Sequence, residues 1–150
     1  PVNGKFTQRQ KDVYNAVLHV MRESIKLIQV GTIWNTYHEQ VGELMTEQLV
    51  KLRLISTGDV KNQNPSYLAY KKYFMHGNSH HLGIDVHDFA GRYTPFAAGN
   101  ILTVEPGIYI PAEGLGIGLE NNILITSNGN IDLMADIPLE AEEVEAIMNS

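Results

Sequence analysis

Along the first third of the chain, apolar residues recur at three- and four-residue intervals. Val13, Val17, Val20, Met21 and Ile28, with Ser24 in the same stripe, stand at helical spacing, while Lys11, Arg22, Glu23 and Lys26 fall on the other side. Thr7 followed by Gln10 is a capping-box pair, a hydroxyl and an amide able to satisfy free N–H groups at a helix start. The spacing therefore predicts a helix that opens at Thr7 and stops by Val30-Gly31. Thr36 and Glu39 repeat the pair, and Val41, Leu44, Met45, Gln48 and Leu52 predict a second amphipathic helix reaching to Leu54. From Ser56 to Pro65 the composition turns to Gly, Asp, Asn and Gln, which predicts a loop, with a short helix from Pro65 to Tyr73 after it.

After Phe74 the period changes from helical to two. Ile84-Asp85-Val86-His87 alternates, as do Ile101 to Glu105 and Leu119 to Thr126. Asn128-Gly129, between Ile123-Leu124-Ile125 and Ile131-Asp132-Leu133, is a hairpin signal. Pro138 is expected to start a last, acidic helix with Val144, Ile147 and Met148 as its buried stripe. Helices first and antiparallel strands later predict an α+β layer fold, an antiparallel sheet covered by helices. Trp34, just ahead of the second cap, reads as packed, and Arg92 and Tyr93 read as a solvated loop.

Composition narrows the function classes. A chain of 150 residues that is 43% hydrophobic and 19% charged can bury a core, as one domain or part of a larger one. Its net charge of -6 argues against nucleic acid, which demands clustered Lys and Arg. No apolar run approaches the roughly 18 residues that would cross a bilayer, and no secretory leader opens the chain. Without cysteine there are no disulfides, thiolate metal sites or cysteine nucleophiles, which fits a reducing compartment; a cytoplasmic setting is the expectation. The chain opens at Pro1 rather than Met, and a trimmed or truncated product is expected on that ground.

The candidate chemistry is concentrated in one stretch. Four of the six histidines, His76, His80, His81 and His87, fall within a dozen residues beside Gly77, Gly83, Asp85 and Asp88. Any one alone reads most simply as a solvated or core histidine; together they point to a site. His76 and His80 are four apart, but a zinc-protease helix needs Glu after the first His, and Gly77 stands there. An extended strand would instead send Ile84 and Val86 to one face and Asp85 and His87 to the other. Glu105 closes the apolar run Ile101-Leu102-Thr103-Val104, and Glu120 is a lone charge between Gly116-Ile117-Gly118-Leu119 and Asn121-Asn122-Ile123. Each glutamate taken singly reads as a wet-face residue. One imidazole and two carboxylates on neighbouring strands form instead a site for Mn, Zn, Co or Fe(II).

These residues match a known pattern. His76-Gly77-Asn78-Ser79-His80-His81-Leu82-Gly83-Ile84-Asp85-Val86-His87-Asp88 resembles the histidine signature of the proline-specific aminopeptidases (aminopeptidase P). Thr103-Val104-Glu105-Pro106-Gly107-Ile108-Tyr109-Ile110 resembles their second signature, and Gly116-Ile117-Gly118-Leu119-Glu120-Asn121-Asn122 their third, in the same order and running essentially end to end. Prolidase is the nearest sibling. The resemblance implies the C-terminal portion of a pita-bread peptidase domain over residues 1–150, with two divalent metal ions, usually manganese. It implies that His80 and Glu105 ligate one metal, that Glu120 bridges both, and that Glu105 also orients or deprotonates the attacking water. His76 and His87 would hold the substrate carbonyls and steady the tetrahedral intermediate. The substrate implied is a peptide with proline in second position.

The sequence departs from that family in three places. Two further aspartate ligands, which the family takes from a hairpin preceding the segment that matches Pro1, are not in these 150 residues. A cut after that hairpin is the expected explanation, with weak metal binding, no peptidase activity of the isolated chain and self-association through unpaired strand edges. Gly118 stands where the family often has Arg, and Asn121 and Asn122 where acidic residues are common. Competing readings are a metal-free pita-bread module that binds peptide or protein, a prolidase-type dipeptidase, and the metal-independent amidinohydrolase branch that acts on creatine. Retention of His80, Glu105 and Glu120 together favours the peptidase.

Overall fold

The first helix, α1 (Gln8–Leu27), begins where its capping box dictates: the Thr7 hydroxyl accepts from the Gln10 amide N–H at 3.2 Å, and the Gln10 side chain accepts from the Thr7 N–H at 2.8 Å. A cap of this kind contributes about 1 kcal/mol. In this computed structural model, which describes residues 1–89, 91 and 93–150, the predicted stripe Val13, Val17, Val20, Met21, Ser24 and Ile28 is fully buried. It packs on α2 (Trp34–Lys51), which buries Tyr37, Val41, Met45, Gln48 and Leu49. This second helix starts two residues before the expected Thr36 cap, after Ile33 and with no side-chain cap. Packing sets that start: the Trp34 ring lies against Tyr37, Phe96 and His81.

The stretch expected to be loop contains α3 (Thr57–Lys61), capped reciprocally by Ser56 and Asp59. It has no buried residue, so no apolar period announced it. The short helix expected before Tyr73 is one 3-10 turn, Ala69–Lys72.

The β half consists of β1 (Ile101–Val104), β2 (Gly107–Ile110), β3 (Leu115–Gly118), β4 (Asn121–Thr126) and β5 (Gly129–Asp132). Antiparallel pairing gives a three-stranded sheet in the order β1-β4-β5 and a β2-β3 hairpin. The Asn128-Gly129 turn forms as expected, with Thr126 opposite Gly129 and a φ of 130° that only glycine adopts without strain. Leu102, Val104, Ile108, Ile123 and Ile125 face the helices and complete the core.

Two further expectations fail. Ile84-Asp85-Val86-His87 is not a strand: it is a series of bends with Ile84 fully exposed and Val86 67% exposed. The segment beside β1 lies a few residues earlier. Leu82 N–H donates to Ile101 O, Thr103 N–H to His80 O and Glu105 N–H to Asn78 O, at 3.0, 3.0 and 2.7 Å. Residues 78–82 thus run antiparallel to β1, His81 opposite Leu102. The last helix, α4 (Ala141–Met148), buries only Ala141, while Ile147 and Met148 are half exposed. Polar contacts hold it instead: Lys11 reaches Glu145 at 3.0 Å, and the Glu145 carboxylate also accepts from the Phe6 N–H at 2.7 Å. Of the two residues expected in a solvated loop, Tyr93 is 80% exposed and Arg92 lies outside the described residues.

Candidate metal centre

The ladder along β1 places two of the expected ligands side by side. His80 sits opposite Thr103, whose hydroxyl also accepts from the His80 N–H at 3.0 Å, and Glu105 leaves the end of β1 two residues further on. The His80 Nε2 and a Glu105 carboxylate oxygen are 3.7 Å apart. Glu120 arrives from the other side. It is not inside a strand, as its flanking apolar runs suggested, but in the connection between β3 and β4. Ligand atoms of His80, Glu105 and Glu120 all lie within 4.8 Å of one another. This is the only group of three or more such side chains so arranged among the described residues.

The donor chemistry fits a divalent cation. His80 Nδ1 lies 3.0 Å from the His81 carbonyl oxygen, which can only accept, so Nδ1 carries the proton and the Nε2 lone pair is left free toward the glutamates. Fixing the tautomer through the second nitrogen is the usual support of a metal-binding imidazole. One nitrogen and two carboxylates suit Mn, Zn, Co or Fe(II) and do not choose between them.

Around this group opens a cleft of about 680 Å³ lined by residues that include His76, His87, Tyr109, Gly118 and Leu119. Of the three other histidines of the signature, His76 and His87 line the cleft, while His81 stacks on Trp34. The His87 ring meets the His80 ring edge-on at 4.4 Å. His76 is held at both nitrogens: Nδ1 donates to the Gly77 carbonyl at 2.8 Å, which leaves Nε2 to accept from the Tyr109 hydroxyl at 2.9 Å. Burial, with the Glu105 charge nearby, pushes the Tyr109 phenol above its ordinary pKa, so it stays a proton donor.

Tyr109 lies across glycines. A Cβ on Gly107 would meet its hydroxyl at 2.6 Å and its ring at 2.8 Å, and one on Gly116 would meet the ring at 3.1 Å. Gly107→Ala is expected to displace that ring and break the His76–Tyr109 hydrogen bond. Nitrogen-15 NMR of the His76 imidazole checks it, and an unchanged Nε2 resonance would contradict the packing. Gly118, where an arginine was expected from the resemblance, leaves the floor of the cleft near Tyr109 without a side chain.

Asn121 has a different role from the one its position suggested. Its side chain is buried and donates to the Asp132 carboxylate at 2.7 Å, joining β4 to β5 rather than facing the cleft. Sequence reasoning also passed over Ser79, Asn78 and Tyr37, which form a buried polar cluster behind the histidine segment. No local pattern around Tyr37 singles it out in the sequence.

That tyrosine has a pH signature. Burial pushes its phenol up to about 12, against 10.0 ordinarily. The folded state holds the proton more tightly than the unfolded chain, so this contribution is complete below pH 10 and is lost as pH rises toward 12. Urea unfolding from pH 9 to 12 should show a steeper alkaline loss in the native chain than in Tyr37→Phe; parallel curves would contradict it.

Comparison with known proteins places the arrangement. Residues 2–127 match the model of metallopeptidase family M24. The chain is 40% identical over 160 residues to the Xaa-Pro aminopeptidase of Escherichia coli K12, covering 99% of this chain and 36% of that protein. It is 35% identical to Xaa-Pro aminopeptidase 3 of Homo sapiens, covering 98% of this chain and 31% of that one. Among solved structures, Escherichia coli aminopeptidase P with the inhibitor Pro-Leu superposes with a TM-score of 0.87 at 39% identity, over 99% of this chain and 36% of that chain. The chain thus spans about a third of the length of the curated relatives it matches. With α+β layers, antiparallel sheets and these neighbours, the fold is the pita-bread fold of aminopeptidase P. The chain belongs to metallopeptidase family M24.

Proposed function

We propose that these residues form the C-terminal part of the catalytic domain of an Xaa-Pro aminopeptidase, which removes the N-terminal residue from peptides with proline in second position. The observation that carries this reading is the convergence of His80, Glu105 and Glu120 within 4.8 Å. A metal-free binding module or an amidinohydrolase has no use for that donor set. Two divalent cations, manganese in this reading, would be held by these three side chains and two aspartates from outside the 150 residues, and would polarise the scissile carbonyl and lower the pKa of water.

The chain's own residues do the rest. Glu105 orients the attacking water and takes its proton. His87, exposed beside His80, donates to the oxyanion that develops on the carbonyl. In this reading His76 holds the substrate carbonyl through its Nε2–H tautomer, which requires Nδ1 to release the Gly77 carbonyl and Nε2 to cease accepting from Tyr109. An Xaa-Pro amide has no N–H, so selectivity needs an apolar slot rather than an acceptor. Leu119 and the rings of Tyr109 and His76 line the cleft and would border that slot. We place the protein in the cytoplasm, consistent with its lack of cysteine.

Three donors of five bind weakly, so the isolated 150-residue chain should take up divalent metal with low affinity and not turn over. Elemental analysis after dialysis, with an Xaa-Pro peptide assay, tests this. Two tightly held metals with turnover would overturn the half-site reading. No binding even at millimolar manganese would favour the metal-free peptide-binding module. We also propose self-association through strand β5, which among the described residues pairs only with β4. Light scattering showing a monomer at high concentration would contradict it.

A further inference from the structure

The segment that delivers His80 is irregular in sequence, with Gly77, Asn78 and Ser79 leading into it, and nothing in its local propensity keeps it extended. What holds it lies behind it. Asn78 is completely buried, and its Nδ2 donates to the Tyr37 hydroxyl at 2.8 Å. The same hydroxyl lies 2.9 Å from Ser79 Oγ. Tyr37 itself is 1% exposed and packs edge-on against two rings that also touch each other, Trp34 at 6.4 Å and Phe96 at 5.8 Å between centroids. The backbone of the residue so gripped then does a second job: the Asn78 carbonyl accepts the Glu105 N–H at 2.7 Å.

We propose that Tyr37 is a positioning residue for the metal centre, setting the spacing of His80 and Glu105 through Asn78 and Ser79 from a helix that contributes no ligand. One hydroxyl holds two consecutive residues; from there one path leads two residues on to His80, and another crosses a single hydrogen bond to Glu105. The cluster has no slack to absorb a loss. Asn78 Oδ1 is already buried without a partner, so removing the Tyr37 hydroxyl strips Asn78 Nδ2 of its shorter contact and leaves only Ser79 Oγ at 3.3 Å. The expected response is a shift of the 78–82 segment against β1 rather than loss of the fold, because the phenyl ring of Tyr37→Phe still fills its place.

The proposal rests on the metal-centre reading for its functional consequence but not for its structural one, and two readouts separate them. The first is amide hydrogen exchange at Glu105 and Thr103, the donors of the ladder bonds to Asn78 and His80, measured without metal. Tyr37→Phe should speed exchange at Glu105 at least tenfold while the amides of β4 keep their rates. The second is a manganese titration followed by electron paramagnetic resonance, in which Tyr37→Phe should weaken binding about tenfold, the lower end of the cost for groups supporting a ligand. Tyr70→Phe, a buried tyrosine outside this cluster, is the control and should change neither. Should Tyr37→Phe not fold, Ser79→Ala removes the other contact of the hydroxyl and is read the same way.

Unchanged exchange at Glu105 overturns the proposal whatever the titration shows. Faster exchange with unchanged manganese affinity also overturns it, since the cluster would then be structural only. Faster exchange in a chain that binds no manganese even in its native form retains the anchor and instead removes the metal-centre reading on which its function depends.

Discussion

Glu120→Ala is expected to weaken divalent-cation binding by more than about 100-fold, beyond the range seen when only a ligand's supporting partner is lost. Glu120 stands between β3 and β4 with an exposed side chain, so its loss opens no cavity and leaves no buried partner orphaned. Stability should therefore move by no more than about 0.5 kcal/mol. A large loss of affinity without a loss of stability is what distinguishes a ligand from a structural residue. Within a longer polypeptide carrying the complete donor set, the same change should remove peptidase activity. Manganese titrations of native and Glu120→Ala chains, each with a urea melt, measure both quantities. Equal affinities would remove Glu120 from the site.

Phe96→Ala should be the most damaging single change to the fold, at about 3–5 kcal/mol. Phe96 is 2% exposed and stands at the centre of an aromatic group, with ring centroids 5.8 Å from Trp34, 5.8 Å from Tyr37 and 6.1 Å from His81. Its backbone contacts with Gly31 and Thr32 survive the substitution, so the cost is that of a cavity. Set against the 5–15 kcal/mol typical of a domain, that is a large fraction. The cavity would open beneath Tyr37 and His81, so metal affinity should fall together with stability, unlike in Glu120→Ala. A urea midpoint close to that of the native chain would contradict the packing.

The features legible in the sequence are those whose cause is local. Thr7 and Gln10 lie within one helical turn and announce α1 correctly, and Asn128-Gly129 announces its hairpin because a tight turn needs positive φ. The candidate ligands were legible by another route: His80, Glu105 and Glu120 stand in runs whose order and spacing match a family, although they lie up to 40 residues apart. What could not be read is non-local. Residues 78–82 lack β-branched side chains and become extended only because β1 offers them a ladder. Ile84 to His87 alternate well but have no strand opposite among the described residues, so the pattern predicted a pairing that these residues do not make. For α4, apolar spacing named Ile147 and Met148 as the buried side, whereas Lys11, reaching across from α1, fixes the helix through its glutamates. Gly118 and Asn121 show the same limit. The glycine widens the cleft, while the asparagine, expected beside the metals, turns away to Asp132.

Whether one imidazole and two carboxylates of this chain grip a cation together is decided by crystals soaked in manganese chloride, with anomalous scattering recorded above the manganese edge. An anomalous peak is expected within about 2.5 Å of His80 Nε2, Glu105 and Glu120 oxygens, in the range of metal–ligand bonds. A peak elsewhere, or none at a concentration that saturates binding in solution, would contradict it.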